Sequence, residues 1–143
     1  MITKNGALIF GKGKMTSDSY LQMKNSLGED TSVNVQYKYA PADWTMSVGS
    51  GTTEPTRDDI TLPNGISGRI VQPGTLACDV ASNGNLIFTR AFTNISDSDV
   101  TITELGLYLM DNSNAFFAAH KLIPARTVQP NETVTFSYVI EFN

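Results

Sequence analysis

The chain has 143 residues, enough for one domain whose hydrophobic core needs no metal or disulfide to hold it. Apolar residues make up 41% and charged residues 17%, with a net charge of −4, so a basic nucleic-acid footprint is excluded. No apolar run approaches the roughly 20 residues that span a bilayer, and one cysteine, Cys78, allows no intrachain disulfide and reads as a small buried thiol from a reducing compartment.

The first 28 residues differ from the rest. They carry Lys4, Lys12, Lys14 and Lys24 against Asp18, a balance of +3, whereas the remainder carries −7. Ala7 to Phe10 is too short an apolar stretch for a signal peptide. It reads as a short strand over 7–10, set between Asn5-Gly6 and Gly11-Lys12-Gly13. Ile2, Leu8, Ile9, Phe10, Lys12 and Lys14 then form a candidate protein-interface arm: a short strand is marginal alone, but it can add to a neighbour's sheet edge while its lysines meet acidic surface. The other reading places this strand in the chain's own sheet. Thr16 or Ser17 can cap a short helix over 18–26, with Tyr20, Met23 and Leu27 on one face and Gly28 as its stop. The arm and helix (1–28) are thus set apart from a β domain (29–143).

From there the pattern has period two. Val33, Val35, Tyr37 and Tyr39 alternate with polar residues, as do Trp44, Met46 and Val48. Gly49-Ser50-Gly51 forms a loop without the Gly-Lys-Ser/Thr ending of a phosphate loop, and Pro55 can open a single helical turn through Asp59. Strands over 67–72, 85–93 and 101–110 follow, the second introduced by Asn83-Gly84 and the last two separated by the turn residues of 94–99. Gly106 inside the strand 101–110 signals a bulge or a close backbone approach. Glu104, a carboxylate in an apolar run, calls for amide donors, for which the 49–53 loop is a candidate source. After 116–121 comes the clearest strand, 133–142, in which Val134, Phe136, Tyr138, Ile140 and Phe142 share one face opposite Thr135, Ser137 and Glu141. The total is about eight strands: an all-β fold, a single antiparallel β-sandwich of jelly-roll or Ig-like type with a short helix near the N-terminus.

Candidate chemistry is sparse. His120, the single histidine, has no nucleophile or carboxylate that the sequence points to, and reads as structural or surface. One His and one Cys do not make a zinc site. Asp97 and Asp99 lack the rest of a calcium loop and read as turn residues. Asn94-Ile95-Ser96 and Asn131-Glu132-Thr133 match the glycosylation pattern by coincidence, there being no secretory signal. Trp44, Tyr37 and Tyr39 could form an outward row that stacks sugars, although core positions suit them better. No catalytic residue, metal or cofactor is expected, and the chain reads as non-enzymatic.

Two stretches, Val48-Gly-Ser-Gly-Thr-Thr-Glu-Pro-Thr-Arg-Asp-Asp-Ile-Thr-Leu62 and Phe92-Thr-Asn94 through Thr101-Ile-Thr-Glu-Leu-Gly-Leu-Tyr-Leu109, precede a closing strand after Gln129-Pro-Asn-Glu132. This order, over about residues 48–142, resembles structural modules of tailed-phage virions of the tail-collar, baseplate and head-auxiliary kind. The N-terminal segment departs from the commonest tail-collar pattern. The resemblance implies a homo-oligomeric virion protein, made in the bacterial host cytoplasm, whose partners are copies of itself and other virion proteins. It also implies Gly49, Gly51, Glu104 and Gly106 as structural motif residues. A carbohydrate- or receptor-binding β-sandwich is the alternative.

Overall fold

The computed structural model describes residues 1–12, 20–34, 43–111 and 113–141. They form one helix and nine strands: α1 (Lys4–Lys12), β1 (Tyr20–Lys24), β2 (Asp30–Asn34), β3 (Trp44–Gly49), β4 (Ile70–Val71), β5 (Ala77–Val80), β6 (Leu86–Asn94), β7 (Val100–Asp111), β8 (Asn114–Val128) and β9 (Thr133–Ile140). The fold is all-β. Its strands form three sheets: the β1–β2 hairpin, a sheet in the order β3-β7-β8, and a sheet in which β6 pairs with β4 and β5 along one edge and with β9 along the other. All these pairings are antiparallel.

Alternation decides which side of each strand is covered. In β9, Val134, Tyr138 and Ile140 are buried, Phe136 is half-buried, and Thr133, Thr135, Ser137 and Val139 are exposed. β7 departs from alternation because both its faces are covered from Glu104 to Leu109. Register shifts lie on either side of Gly106, between Ile102 and Glu104 and between Leu107 and Tyr108. One apolar cluster joins the two larger sheets, and in it Trp44 of β3 meets Phe88 of β6 with ring centroids 5.3 Å apart. The turn into β9 is built as its sequence dictates. Glu132 N–H donates to Gln129 C=O at 3.0 Å, and Asn131 takes φ +66° after Pro130.

The N-terminal third corrects the sequence reading in two places. Residues 7–10, expected as a strand, belong to helix α1. Thr3 is its N-cap: Gly6 N–H donates to Thr3 Oγ1 at 3.1 Å and Ala7 N–H to Thr3 C=O at 2.9 Å. The helix packs on β8, and a Cβ at Gly6 would collide with the Ala118 carbonyl, so glycine is what permits this approach. The expected helix over 18–26 is instead strand β1, with residues 18 and 19 outside the described residues. β1 pairs with β2 from Tyr20↔Asn34 to Lys24↔Asp30. Gly28, at φ +82°, serves the turn between these strands and stops no helix. Buried Asn25 organises that turn, accepting from Leu27 N–H (3.0 Å) and Glu29 N–H (2.9 Å). The boundary expected at 28/29 therefore falls inside a hydrogen-bonded hairpin.

Candidate functional site

Four segments converge on His120. The ring is fully buried on β8, and each nitrogen faces a carboxylate: Nε2 lies 2.9 Å from Glu104 Oε2, and Nδ1 lies 3.0 Å from Asp59 Oδ2. Glu104, on β7, is fully buried as well. Its other oxygen accepts from Gly51 N–H at 3.0 Å, and Thr103 Oγ1 donates to Gly51 C=O at 2.6 Å. The 49–53 loop is thus held on both sides of one residue. Asp59 closes a short turn, in which Thr56 donates from its backbone N–H to Oδ2 (2.9 Å) and from its hydroxyl to Oδ1 (2.8 Å). The turn at 57–58 does not continue into the helical turn expected from Pro55.

The motif residues named from sequence meet here. A Cβ on Gly49 would strike the Glu104 carboxylate, and one on Gly51 would lie 2.7 Å from Oε1. Gly106 stands opposite His120 in the β7–β8 register. Its missing side chain admits the Phe117 ring, which a Cβ would approach to 2.5 Å. That ring packs beside His120, at 5.6 Å between centroids, and beside Tyr108, at 4.7 Å. The Tyr108 hydroxyl accepts from Leu62 N–H at 2.9 Å and contacts Thr61 Oγ1 at 3.1 Å, which fixes the end of the same loop region.

Two carboxylates facing one imidazole call for two N–H donors. The doubly protonated ring satisfies both contacts, whereas a ring with one N–H needs a proton on one of the carboxyls. A carboxylate buried without such partners would cost several kcal/mol. The arrangement is a hydrogen-bonded clamp joining the 49–53 loop, the 56–59 turn, β7 and β8. The imidazole stands between two carboxylates, and the hydroxyl that reaches Asp59 is that of Thr56, which belongs to the same turn. Because the carboxylates occupy different ring nitrogens, they do not converge on one ion. Among the described residues no group of three or more His, Cys, Asp or Glu side chains is arranged to hold a metal.

Asp59 also borders a cleft of about 400 Å³, lined among others by Lys4, Leu8, Arg57, Asp58 and Ile60. Burial pushes its carboxyl up, but the hydrogen bonds from His120 and Thr56 outweigh this and hold it below the ordinary 3.8. A depressed carboxyl contributes stability above its unfolded value and loses it as pH falls through the folded one. Burial raises the Tyr108 phenol, and that of Tyr138, above the ordinary 10.0, so their contribution is present below pH 10 and is lost as pH rises through the folded values. Denaturant midpoints measured against pH should therefore fall below about pH 4 and above about pH 10. The Asp59→Asn chain should show a flatter acid limb, and an acid limb identical to the parent would exclude Asp59 as its source.

The candidate interface residues lie elsewhere. Ile9 and Phe10 are in the core, with the Phe10 ring stacked on Trp44 at 5.4 Å, while Leu8 and Ile2 are half-buried against it. Ile2 bridges to Ala119 of β8. These apolar side chains are covered by their own chain. Lys12 ends α1, and Lys14 falls outside the described residues, as do Tyr37, Tyr39 and Phe142. Cys78, half-buried on β5, packs against the core. Asn94, buried, accepts from Ser96 N–H and hydroxyl and donates to Ser98 and Val128 carbonyls, so the acidic 94–99 loop is an organised turn.

Sequence reasoning identified Glu104 and its loop but missed Asp59 and placed no carboxylate beside His120. The local signal was Thr56-Arg57-Asp58-Asp59, a turn closed by its own Thr and Asp. Nothing local shows that β8 would carry His120 to that turn. Among the described residues no helix is long and apolar enough to cross a membrane. Comparison with protein-family models, with curated proteins and with solved structures gives no match to this chain.

Proposed function

We propose that this chain is a non-enzymatic structural subunit of a tailed-phage virion, which assembles as an oligomer on the tail, collar or head through protein–protein contacts. It is made in the bacterial host cytoplasm and works within the particle. One observation carries the reading. Gly49, Gly51, Glu104 and Gly106, the residues on which the resemblance rests, all stand around the His120 clamp, where they fasten a long loop to a sheet. The polar core is spent on rigidity, which suits a part that bears contacts. A glycan-binding module needs outward aromatic rings, and Trp44 is stacked inward on Phe10.

The test is the protein content of purified particles from the phage that encodes the chain. Mass spectrometry of dissociated particles should find it in several copies per particle. A chain abundant in the infected-cell lysate but missing from purified particles would overturn the proposal.

A further inference from the structure

The sheet edges are not equally guarded. An open edge offers unpaired N–H and C=O groups to any passing strand, and folded proteins block it with covering segments, charges, proline, bulges or short strands. The outer edge of β3 is covered. Val48 C=O accepts from Ile66 N–H and Met46 C=O from the Gln72 amide, both at 3.0 Å, and Gly49 bridges to Gly65. β8 is covered by the N-terminal segment, through Thr3 N–H to Ala118 C=O and His120 N–H to Met1 C=O, and farther along it carries Lys121, Pro124 and Arg126. The opposite edge of the β6 sheet consists of β4, two residues long, and β5, four residues long with Asp79.

β9 has none of these devices. Thr133-Val-Thr-Phe-Ser-Tyr-Val-Ile140 contains no charge, proline or glycine, and its register with β6 runs without a shift from Thr93↔Thr133 to Leu86↔Ile140. Among the described residues no segment bonds to its other edge. The apolar content at that edge is also unfinished. Phe136 is only half-buried although it points to the core side, and Val139 is 40% exposed on the outer face.

From this edge we infer that β9 pairs antiparallel with β9 of a second copy, joining two β6 sheets into one continuous sheet across a two-fold axis. The inference rests on the reading of the chain as an interaction module and names the surface it uses. Charge selects the occupant. The chain carries −4 overall, and Thr133–Ile140 carries none of it, so two copies of this strand meet with no like charges opposed. Self-pairing also keeps the faces in order. With Phe136 opposite Phe136 of the copy, Val134 faces Tyr138 and Thr135 faces Ser137; with Ser137 opposite itself, Phe136 faces Tyr138 and Thr135 faces Val139. Either register sets core side against core side, and the Phe136 rings gain cover. The two-fold consumes both open edges, so assembly through β9 stops at two.

Light scattering on size-exclusion fractions should give the parent chain a mass twice its 15.5 kDa. Thr135 and Ser137 are exposed, with only the Thr89 hydroxyl against Ser137 at 3.2 Å, so the double variant Thr135→Lys/Ser137→Lys should stay folded, with the far-UV spectrum of the parent. It sets lysines against each other across the axis in the first register and at Ser137 in the second, and should weaken dimerisation by about a hundredfold. Thr135→Glu/Ser137→Glu should do the same, and mixing the two variants should restore the dimer. A monomeric parent, a lysine variant that still dimerises, or a mixture that stays monomeric would each overturn the inference. Because these readouts are of mass alone, they fail separately from the proposed function: a parent that is monomeric yet present in particles removes the β9 contact and leaves the virion role standing.

Discussion

Replacing Glu104 by alanine should cost about 3–5 kcal/mol, the range for removing one partner of a fully buried pair of ionisable groups. The loss leaves His120 fully buried with one carboxylate and frees the Gly51 amide. For a chain of this size it corresponds to a drop in melting midpoint on the order of 10 °C. Glu104→Gln keeps the side-chain length and one oxygen acceptor but exchanges one carboxyl oxygen for an amide NH2, so either Gly51 or His120 loses its acceptor and the cost should fall between that of the parent and the alanine variant. Melts of the three chains decide the matter. A Glu104→Ala midpoint within a degree or two of the parent would mean that the clamp does not hold the loop.

Phe10→Ala should be comparably severe, at about 3–5 kcal/mol, because it removes a buried ring that stacks on Trp44. Lys4→Ala on the same helix should cost under about 1 kcal/mol, since its ion pair with Asp58 is exposed on both sides. The contrast separates two roles for the N-terminal segment. A docking arm would tolerate Phe10→Ala with an unchanged melt and lose only association. A core element would lose stability, and the packing of α1 on β8 supports that outcome.

What was legible in the sequence follows from range. β3 and β9 show in their alternation, β6 and β7 in their β-branched, aromatic and aliphatic content, and the turn into β9 in Pro130-Asn131, because strand faces and turn dihedrals are set by neighbours along the chain. Ala7 to Phe10 misled because four apolar residues carry no period, and flanking glycines lower helix propensity. The deciding facts were the Thr3 cap, readable three residues ahead of Gly6, and the close approach to Ala118, which is not local. Residues 20–27 misled in the opposite sense: Tyr20, Met23 and Leu27 fit helical spacing, but Leu27 is 81% exposed at the hairpin turn. Of the clamp, Glu104 announced itself as a carboxylate among apolar residues. Asp59 did not, because a polar residue in a polar turn looks ordinary until topology sets His120 beside it.

The pairing of the N-terminal segment with β8 has a consequence for synthesis. Thr3 hydrogen-bonds Phe117, 114 residues later, and α1 packs on the same strand. A ribosome adding about 5–20 residues per second needs roughly 6–23 s to cover that distance. Through that interval α1 has been made while β8, the strand on which it packs, has not. Nascent chains ending before residue 115 should therefore be protease-sensitive along their whole length, with protection arriving in one step once β8 is complete.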